Sequence, residues 1–417
     1  MTMLYNESVA FLKGVAPVKP RIGPPVRGAE LWGREAFIHQ LWERLDQNSL
    51  LLVAPRRFGK TSVMHALCDR PREPWTAVYV DAEHTRTPGE FAVTLVRKCA
   101  EANPTWSTAL RAALDGARSW WRAAVSSVGL ATSYDTQFWL EVRRDMGQEW
   151  ESRSLELLRT LRGAGAQIVF AIDELAIMLE NFQDQGLAPA EVRGFMRWFR
   201  HLRIDPSDGL RGCRFVLGSS IGIEGALSRI GAVDTINDLQ PVVLEELSPE
   251  DGRALLCALL AGAGVILSRP AVNRALELVG PPVPYFVQIM AHAITRRGAG
   301  SRIGPKAIEA VYEAEVLGAH ARTYFEHYYD RLRRLDPIDH RLALAVLKHL
   351  AGARSASRRA LWMVYDETAG EQRTVDDFEP MLKELENDFY IRYDPSTGEY
   401  AFWSNMLRDW WRRHYGM

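Results

Sequence analysis

The chain has 417 residues, 51 Lys and Arg against 52 Asp and Glu for a formal net charge of −1, and is 47% hydrophobic and 25% charged. That length holds roughly two to three domains of about 100–200 residues with apolar content ample for a core in each, which excludes whole-chain disorder and fibrous repeats. The balanced charge excludes a protein that coats nucleic acid through bulk electrostatics, so any such contact has to come from a local site.

Cys68, Cys99, Cys213 and Cys257 stand far apart with no C-x-x-C pair. This argues against a disulfide framework or a zinc site and reads as small core residues in a reducing compartment. Residues 1–16 carry Glu7 and Lys13 among their apolar positions and lack the basic-then-apolar order of a secretion signal. The longest apolar run, 254–267, includes Gly262 and Gly264 and is too short to span a bilayer. The expectation is a soluble, cytoplasmic protein without a membrane contact.

In chain order, Pro17, Pro20, Pro24 and Pro25 make residues 1–29 an extended arm. Phe37, Ile38, Leu41, Trp42 and Leu45 recur at helical spacing over 31–45, and Leu50-Leu51-Leu52-Val53 then reads as a strand buried on both faces. Similar runs at 77–80, 168–172 and 215–217 are separated by helix-patterned sequence, which predicts a doubly wound α/β domain over about 30–245. Within it, 105–150 holds Trp106, Trp120, Trp121, Trp139 and Trp150 around an alternating stretch at 125–130 and reads as an insertion, with the tryptophans as packing anchors.

From Ser248 the pattern turns helical, with Ser248 as N-cap and Pro249 at the first helical position. Helices are predicted over 249–260, 269–279, 285–296 and 305–334. Residues 336–417 then read as a separate module: helices over 341–350, 358–365 and 376–387, and two short strands, 390–393 and 400–403, joined by a turn at Pro395-Ser396-Thr397-Gly398. That order is the one expected of a winged helix.

The most specific signal is Ala54-Pro55-Arg56-Arg57-Phe58-Gly59-Lys60-Thr61, between the first apolar strand and a helix that opens with Ser62. Backbone N–H groups of such a loop converge on phosphate oxygens where a helix begins. Lys60 would reach the β- and γ-phosphates and Thr61 would ligate magnesium; Ala54 stands where glycine is usual. The second signal, Ile168 to Ile172 followed by Asp173-Glu174, places a carboxylate at the ligand-binding end of a strand. Asp173 would hold the magnesium shell and Glu174 would act as general base toward water. A third strand ends in Gly218-Ser219-Ser220, where either hydroxyl could report the γ-phosphate or cap the next segment.

Taken with Gly33-Arg34-Glu35, Gly280 and Pro284-Tyr285-Phe286, this order resembles the archaeal-type AAA ATPases of the P-loop class, close to STAND signal-transduction ATPases and origin-recognition-type initiators. The resemblance implies an ASCE P-loop core, a helical lid over 246–335 and a C-terminal winged helix, with ATP and Mg²⁺ as cofactors. It places Gly33 and Arg34 near adenine and ribose and Pro284 on the base. It also implies a nucleotide-dependent switch that oligomerises or regulates a neighbouring effector protein, in a setting such as bacterial stress or phage defence. Two alternatives stay open: an ATP-regulated DNA-binding module of initiator or transposition type, and a scaffold that holds nucleotide without hydrolysis. Arg197, Arg200 and Arg203 at helical spacing are either a finger acting across a subunit boundary or a solvated face. His327, Tyr328 and Tyr329 either contact nucleotide, as the resemblance implies, or pack. Arg354, Arg358 and Arg359 open a predicted helix that could touch nucleic-acid phosphates.

Overall fold

The computed structural model describes residues 18, 20–108, 149–163, 167–204, 212–219, 223–297, 303–333, 335–370 and 374–416. Trp120, Trp121, Trp139, the alternating stretch at 125–130 and Ser220 lie outside the described residues. The chain divides into two compact units, one comprising Arg34–Ala54 with Lys60–Leu244, the other Met1–Gly33, Pro55–Gly59 and Glu245–Met417.

The first unit is built on five strands: β1 (Leu50–Val53), β2 (Thr76–Asp81), β3 (Ile168–Asp173), β4 (Cys213–Ser219) and β5 (Gln240–Val243). They run in the order β2-β3-β4-β1-β5, every neighbouring pair parallel. Helices α1 (Glu35–Leu45), α2 (Lys60–Asp69), α3 (Pro88–Ala102), α4 (Trp150–Gly163), α5 (Leu175–Asp184), α6 (Pro189–Ile204) and α7 (Ile223–Arg229) alternate with them. All six residues of β3 are buried, which is why its sequence is an unbroken apolar run up to the terminal acid. Successive side chains leave a strand on opposite faces. Phe170 meets Phe215 at 5.2 Å on one face, and Phe215, Phe199 and Phe91 continue edge-on from it. Trp106 is buried in the same core and Trp150 lies 4.6 Å from Trp198, so these two tryptophans are packing anchors. On the other face His65 of α2 packs on Tyr79 of β2 with ring centroids 4.1 Å apart.

Strand β5 is absent from the sequence expectation. It carries Pro241 and leaves Val243 56% exposed, as an edge strand can, so it lacks the apolar run that marks its neighbours. The arginines of α6 are largely committed to structure. Arg203, with a side chain 0% exposed, pairs through Nε and Nη2 with both carboxylate oxygens of Asp238 at 2.8 Å, and Nη2 also donates to the Thr235 carbonyl at 2.5 Å. Arg200 approaches the same carboxylate at 3.7 Å, leaving Arg197 as the exposed member.

The second unit is mainly helical: α8 (Pro249–Gly262), α9 (Arg269–Val279), α10 (Pro284–Arg297), α11 (Pro305–Val311), α12 (Arg322–Leu332) and α13 (Pro337–Ala353). Helix α8 starts as its sequence indicates, with Ser248 Oγ accepting from the Asp251 N–H at 3.0 Å. The single helix expected over 305–334 is broken. After Val311 the backbone widens into a π turn, Tyr312–Val316, closed by the Leu317 N–H on the Tyr312 carbonyl at 2.9 Å. Gly318 follows, where a Cβ would lie 2.0 Å from the Ala314 carbonyl oxygen. Tyr312 thereby directs its hydroxyl to Asp409 at 3.0 Å.

Then come β6 (Ser355–Ser357), α14 (Arg358–Ala369), α15 (Val375–Asn387), β7 (Ile391–Asp394), β8 (Glu399–Phe402) and α16 (Asn405–Tyr415). The three strands form an antiparallel sheet in the order β6-β8-β7. Arg354 does not open a helix; it ends α13 at φ +71°, and β6 separates it from α14. Arg358 pairs with Glu379 across to α15, and Arg359 is exposed. Helix α16, also absent from the sequence expectation, buries Met406, Leu407, Trp410 and Trp411 on one face. Replacing Asp238 by Ala leaves the Arg203 guanidinium buried and unpaired. We expect it to lower unfolding free energy by about 3–5 kcal/mol in urea titration, whereas a loss under about 1 kcal/mol would reduce the pair to surface value.

Candidate functional site

In the order β3-β4-β1, three neighbouring strands end at the same edge of the sheet, the edge where ligands bind in open α/β folds. Helix α2 opens there with Lys60 and Thr61, β3 ends in Asp173, and β4 ends in Gly218-Ser219. Lys60 Nζ lies 3.0 Å from Asp173 Oδ1 and 3.8 Å from Glu174 Oε1. Thr61 Oγ1 donates to Asp173 Oδ2 at 2.6 Å, and Oδ1 accepts the Glu174 N–H at 3.0 Å. Glu174 has φ +57°, a left-handed conformation that lets a buried strand turn at once into α5. For a residue with a Cβ this costs on the order of 1 kcal/mol and persists only where its surroundings enforce it.

The ion pair is buried, with Lys60 5% exposed and Asp173 1%, while Glu174 is partly exposed. One ammonium faces two carboxylates, so the local charge is negative and favours a further cation. Burial and the negative charges of Asp173, Asp81 and Glu174 push the Tyr79 hydroxyl far above its ordinary range, so it stays protonated. Lys60 Nζ is buried and, despite its ion pair, makes no well-angled hydrogen bond among the described residues; Ser219 Oγ is likewise buried without a partner among them. A Cβ at Gly218 would come within 2.5 Å of Met64 Cε, 3.0 Å of Lys60 Cδ and 3.2 Å of Asp173 Oδ1. Glycine is therefore what lets β4 pass this close to the ion pair.

Of the residues singled out in the sequence, Lys60, Thr61, Asp173 and Glu174 are in mutual contact, with Gly218-Ser219 beside them. Ala54 is buried at the end of β1 and Ser62 is buried in α2, while Pro55–Gly59 group with the C-terminal unit. There Phe58 N–H closes a turn on the Pro55 carbonyl at 3.5 Å. Gly33 and Pro284 also belong to that unit, and Arg34, buried, precedes α1 in the other. His327 packs on Tyr328 with ring centroids 4.3 Å apart, and its Nε2 is buried without a hydrogen-bond partner among the described residues. Tyr329 stacks on Tyr415 at 4.3 Å. Tyr79, which faces Asp173 and is packed on by His65, went unmarked in the sequence because only strand register places Asp81 beside Asp173 and Tyr79 beside Ala171.

No family model matches the chain, and no curated protein matches it. Among solved structures the chain is similar to the Walker-type ATPase PABY2304 of Pyrococcus abyssi, at 15% identity and a TM-score of 0.61 over 94% of this chain and 99% of that one. Weaker likenesses are to the Aeropyrum pernix ORC2 protein in its ADPNP-ADP complexes (14% identity, TM-score 0.47, 95% and 93% covered) and to CDC6P from Pyrobaculum aerophilum (12%, 0.40, 90% and 90%). The fold resembles that of the Walker-type ATPase: a parallel α/β core with helical additions. Among the described residues no helix is long and apolar enough to cross a membrane.

Burial first, then the charges of Arg57, Arg331 and Arg56, lowers the His327 pKa to about 3. The unfolded chain takes up this proton near pH 6.5. The contribution of neutral His327 to stability is therefore complete above about pH 6.5 and is lost as pH falls toward 3, with a slope of at most about 1.4 kcal/mol per pH unit. In denaturant titrations between pH 7 and 4.5, His327→Gln is expected to lose less stability than the wild type; parallel losses would show that His327 does not titrate this way.

Proposed function

We propose that the chain binds Mg-ATP at the β1–α2 loop and hydrolyses it as a molecular switch. The observation that carries this reading is the buried Lys60 ammonium, set beside two carboxylates at the ligand edge of a parallel sheet and lacking a well-formed hydrogen bond. A phosphate oxygen would supply the missing acceptor. Thr61 and Asp173 offer hard oxygen donors of the kind magnesium takes, and the negative cluster suits a divalent cation. Bound Mg-ATP supplies the phosphoryl group and neutralises charge on its oxygens.

The chain's own residues do the rest. N–H groups of Pro55-Arg56-Arg57-Phe58-Gly59 and the start of α2, through Ser62, orient the phosphates, with proline contributing no donor. Lys60 provides a fixed cation, and Glu174 takes a proton from water. Ser219, whose hydroxyl is buried and unsatisfied among the described residues, hydrogen-bonds the terminal phosphate or the water; Ser220 is the other hydroxyl assigned to this task. Gly33 and Arg34 near adenine and ribose and Pro284 at the base follow from the sequence resemblance. So do the STAND-type coupling to oligomer or effector and a setting in stress or phage defence, while the division into core (30–245), lid (246–335) and winged helix (336–417) follows from the sequence pattern together with the resemblance, and a cytoplasmic location from the sequence pattern alone.

Lys60→Ala is expected to abolish ATP binding in calorimetry, and Glu174→Gln to keep binding while lowering phosphate release by about 10²–10⁴-fold. Unchanged turnover in Glu174→Gln would move water activation elsewhere, and wild-type binding without turnover would leave a nucleotide scaffold. A switch acting through self-association gives a mass by light scattering that differs between ADP and ATP; an unchanged monomer in both would remove self-association.

A further inference from the structure

The phosphate loop carries a side chain that phosphate chemistry does not call for. The Phe58 side chain offers no hydrogen bond and no charge, yet the residue is 3% exposed in a loop where it directly follows Arg56-Arg57. Its ring lies 5.6 Å from Trp403 in an edge-on contact at 85° and 6.0 Å from Phe389, and these two rings are 5.9 Å apart. Trp403 follows β8, Phe389 shortly precedes β7, and the Trp403 N–H donates to the Tyr390 carbonyl at 3.1 Å. The cluster therefore closes the base of the C-terminal hairpin.

The turn that presents Phe58 is held from the same unit. Arg57 sits at φ +73°, at the turn position where glycine is usual. Its guanidinium lies 4.7 Å from the Tyr285 ring centroid and Nη1 approaches the Gly23 carbonyl at 3.5 Å. A strained backbone of this kind keeps its shape only while such contacts enforce it. The ring cluster and the Arg57 contacts are thus what hold this turn in its strained conformation.

We propose that Phe58 couples the shape of the phosphate loop to the packing of the C-terminal hairpin, so that nucleotide occupancy and hairpin order form one equilibrium. This rests on the nucleotide reading above. Aromatic contacts of this geometry stabilise beyond area burial, and linkage requires that whatever the hairpin does to nucleotide affinity, nucleotide does to the hairpin.

The test uses the full chain with Mg-ADP. Trp403→Ala, outside the phosphate site, is expected to weaken ADP binding about tenfold in calorimetry, and Trp403→Phe to recover most of it. In the wild type, ADP is expected to slow backbone hydrogen exchange over 390–403, and in Trp403→Ala that response disappears even at saturating ADP. Wild-type affinity in a cooperatively folded Trp403→Ala, or a wild-type hairpin whose exchange ignores bound ADP, overturns the coupling and leaves the nucleotide reading intact. A wild type that binds no ADP, like Lys60→Ala, overturns both. If Trp403→Ala fails to fold, Phe389→Leu and the wild-type exchange experiment decide by the same criteria.

Discussion

A lysine at the start of α2 and an aspartate at the end of β3, both removed from water, set the terms for the core unit. Desolvating either ion costs several kcal/mol, and their attraction offsets that cost only at close range with the remaining oxygens satisfied. Asp173 meets this condition through the Lys60 ammonium, the Thr61 hydroxyl and the Glu174 amide. The pair holds the first turn of α2 against β3, although β4 lies between β3 and β1 in the sheet. That passage explains Gly218, since any larger residue on β4 would press on Lys60, Asp173 and Met64. A core residue, a helix start and a glycine thus share one electrostatic cause.

The ion pair also explains which parts of the molecule are readable along the chain. Strands β1, β3 and β4 are buried on both faces, so each is a short apolar run ending in a distinctive step: an Arg-rich loop closed by Gly-Lys-Thr, an acid pair and a Gly-Ser step. Strand β5 hydrogen-bonds to β1 by register alone, with a proline and exposed valine, and carries no such mark. The helical reading failed between 305 and 334 because a π turn keeps the apolar spacing while changing direction, with Tyr312 bonded to Asp409 nearly a hundred positions away. Helix α16 has a clear apolar face, Met406, Leu407, Trp410 and Trp411, but it follows the hairpin that had completed the expected module. The candidate site was legible because its parts are local motifs; Tyr79 beside Asp173, with His65 packed behind it, comes from strand register and packing.

The same distinction applies to charge. Arg197, Arg200 and Arg203 look equivalent at helical spacing, yet the Arg203 side chain is buried on Asp238, Arg200 leans on the same carboxylate and Arg197 is exposed. Arg358 likewise opens a helix but pairs with Glu379. Spacing places a cation on a helix, whereas the partner that neutralises it comes from a distant element.

Non-glycine residues in the left-handed region mark where packing overrides local preference. Glu174 occupies it between a fully buried strand and a helix, and is carried by the core. Arg57 occupies it in the loop between β1 and α2 and Phe389 beyond the end of α15, where the Tyr390 and Phe389 amides return to the Leu385 and Glu386 carbonyls, each at 3.0 Å, in the six-to-one and five-to-two pattern that ends helices. Glycine would satisfy that helix end at lower conformational cost; phenylalanine contributes a ring to the cluster that contains Phe58. Both strained turns are thus supported by one set of contacts within one compact unit. Relaxing either removes a wall from the other, because the residue next to Arg57 packs on Phe389 itself.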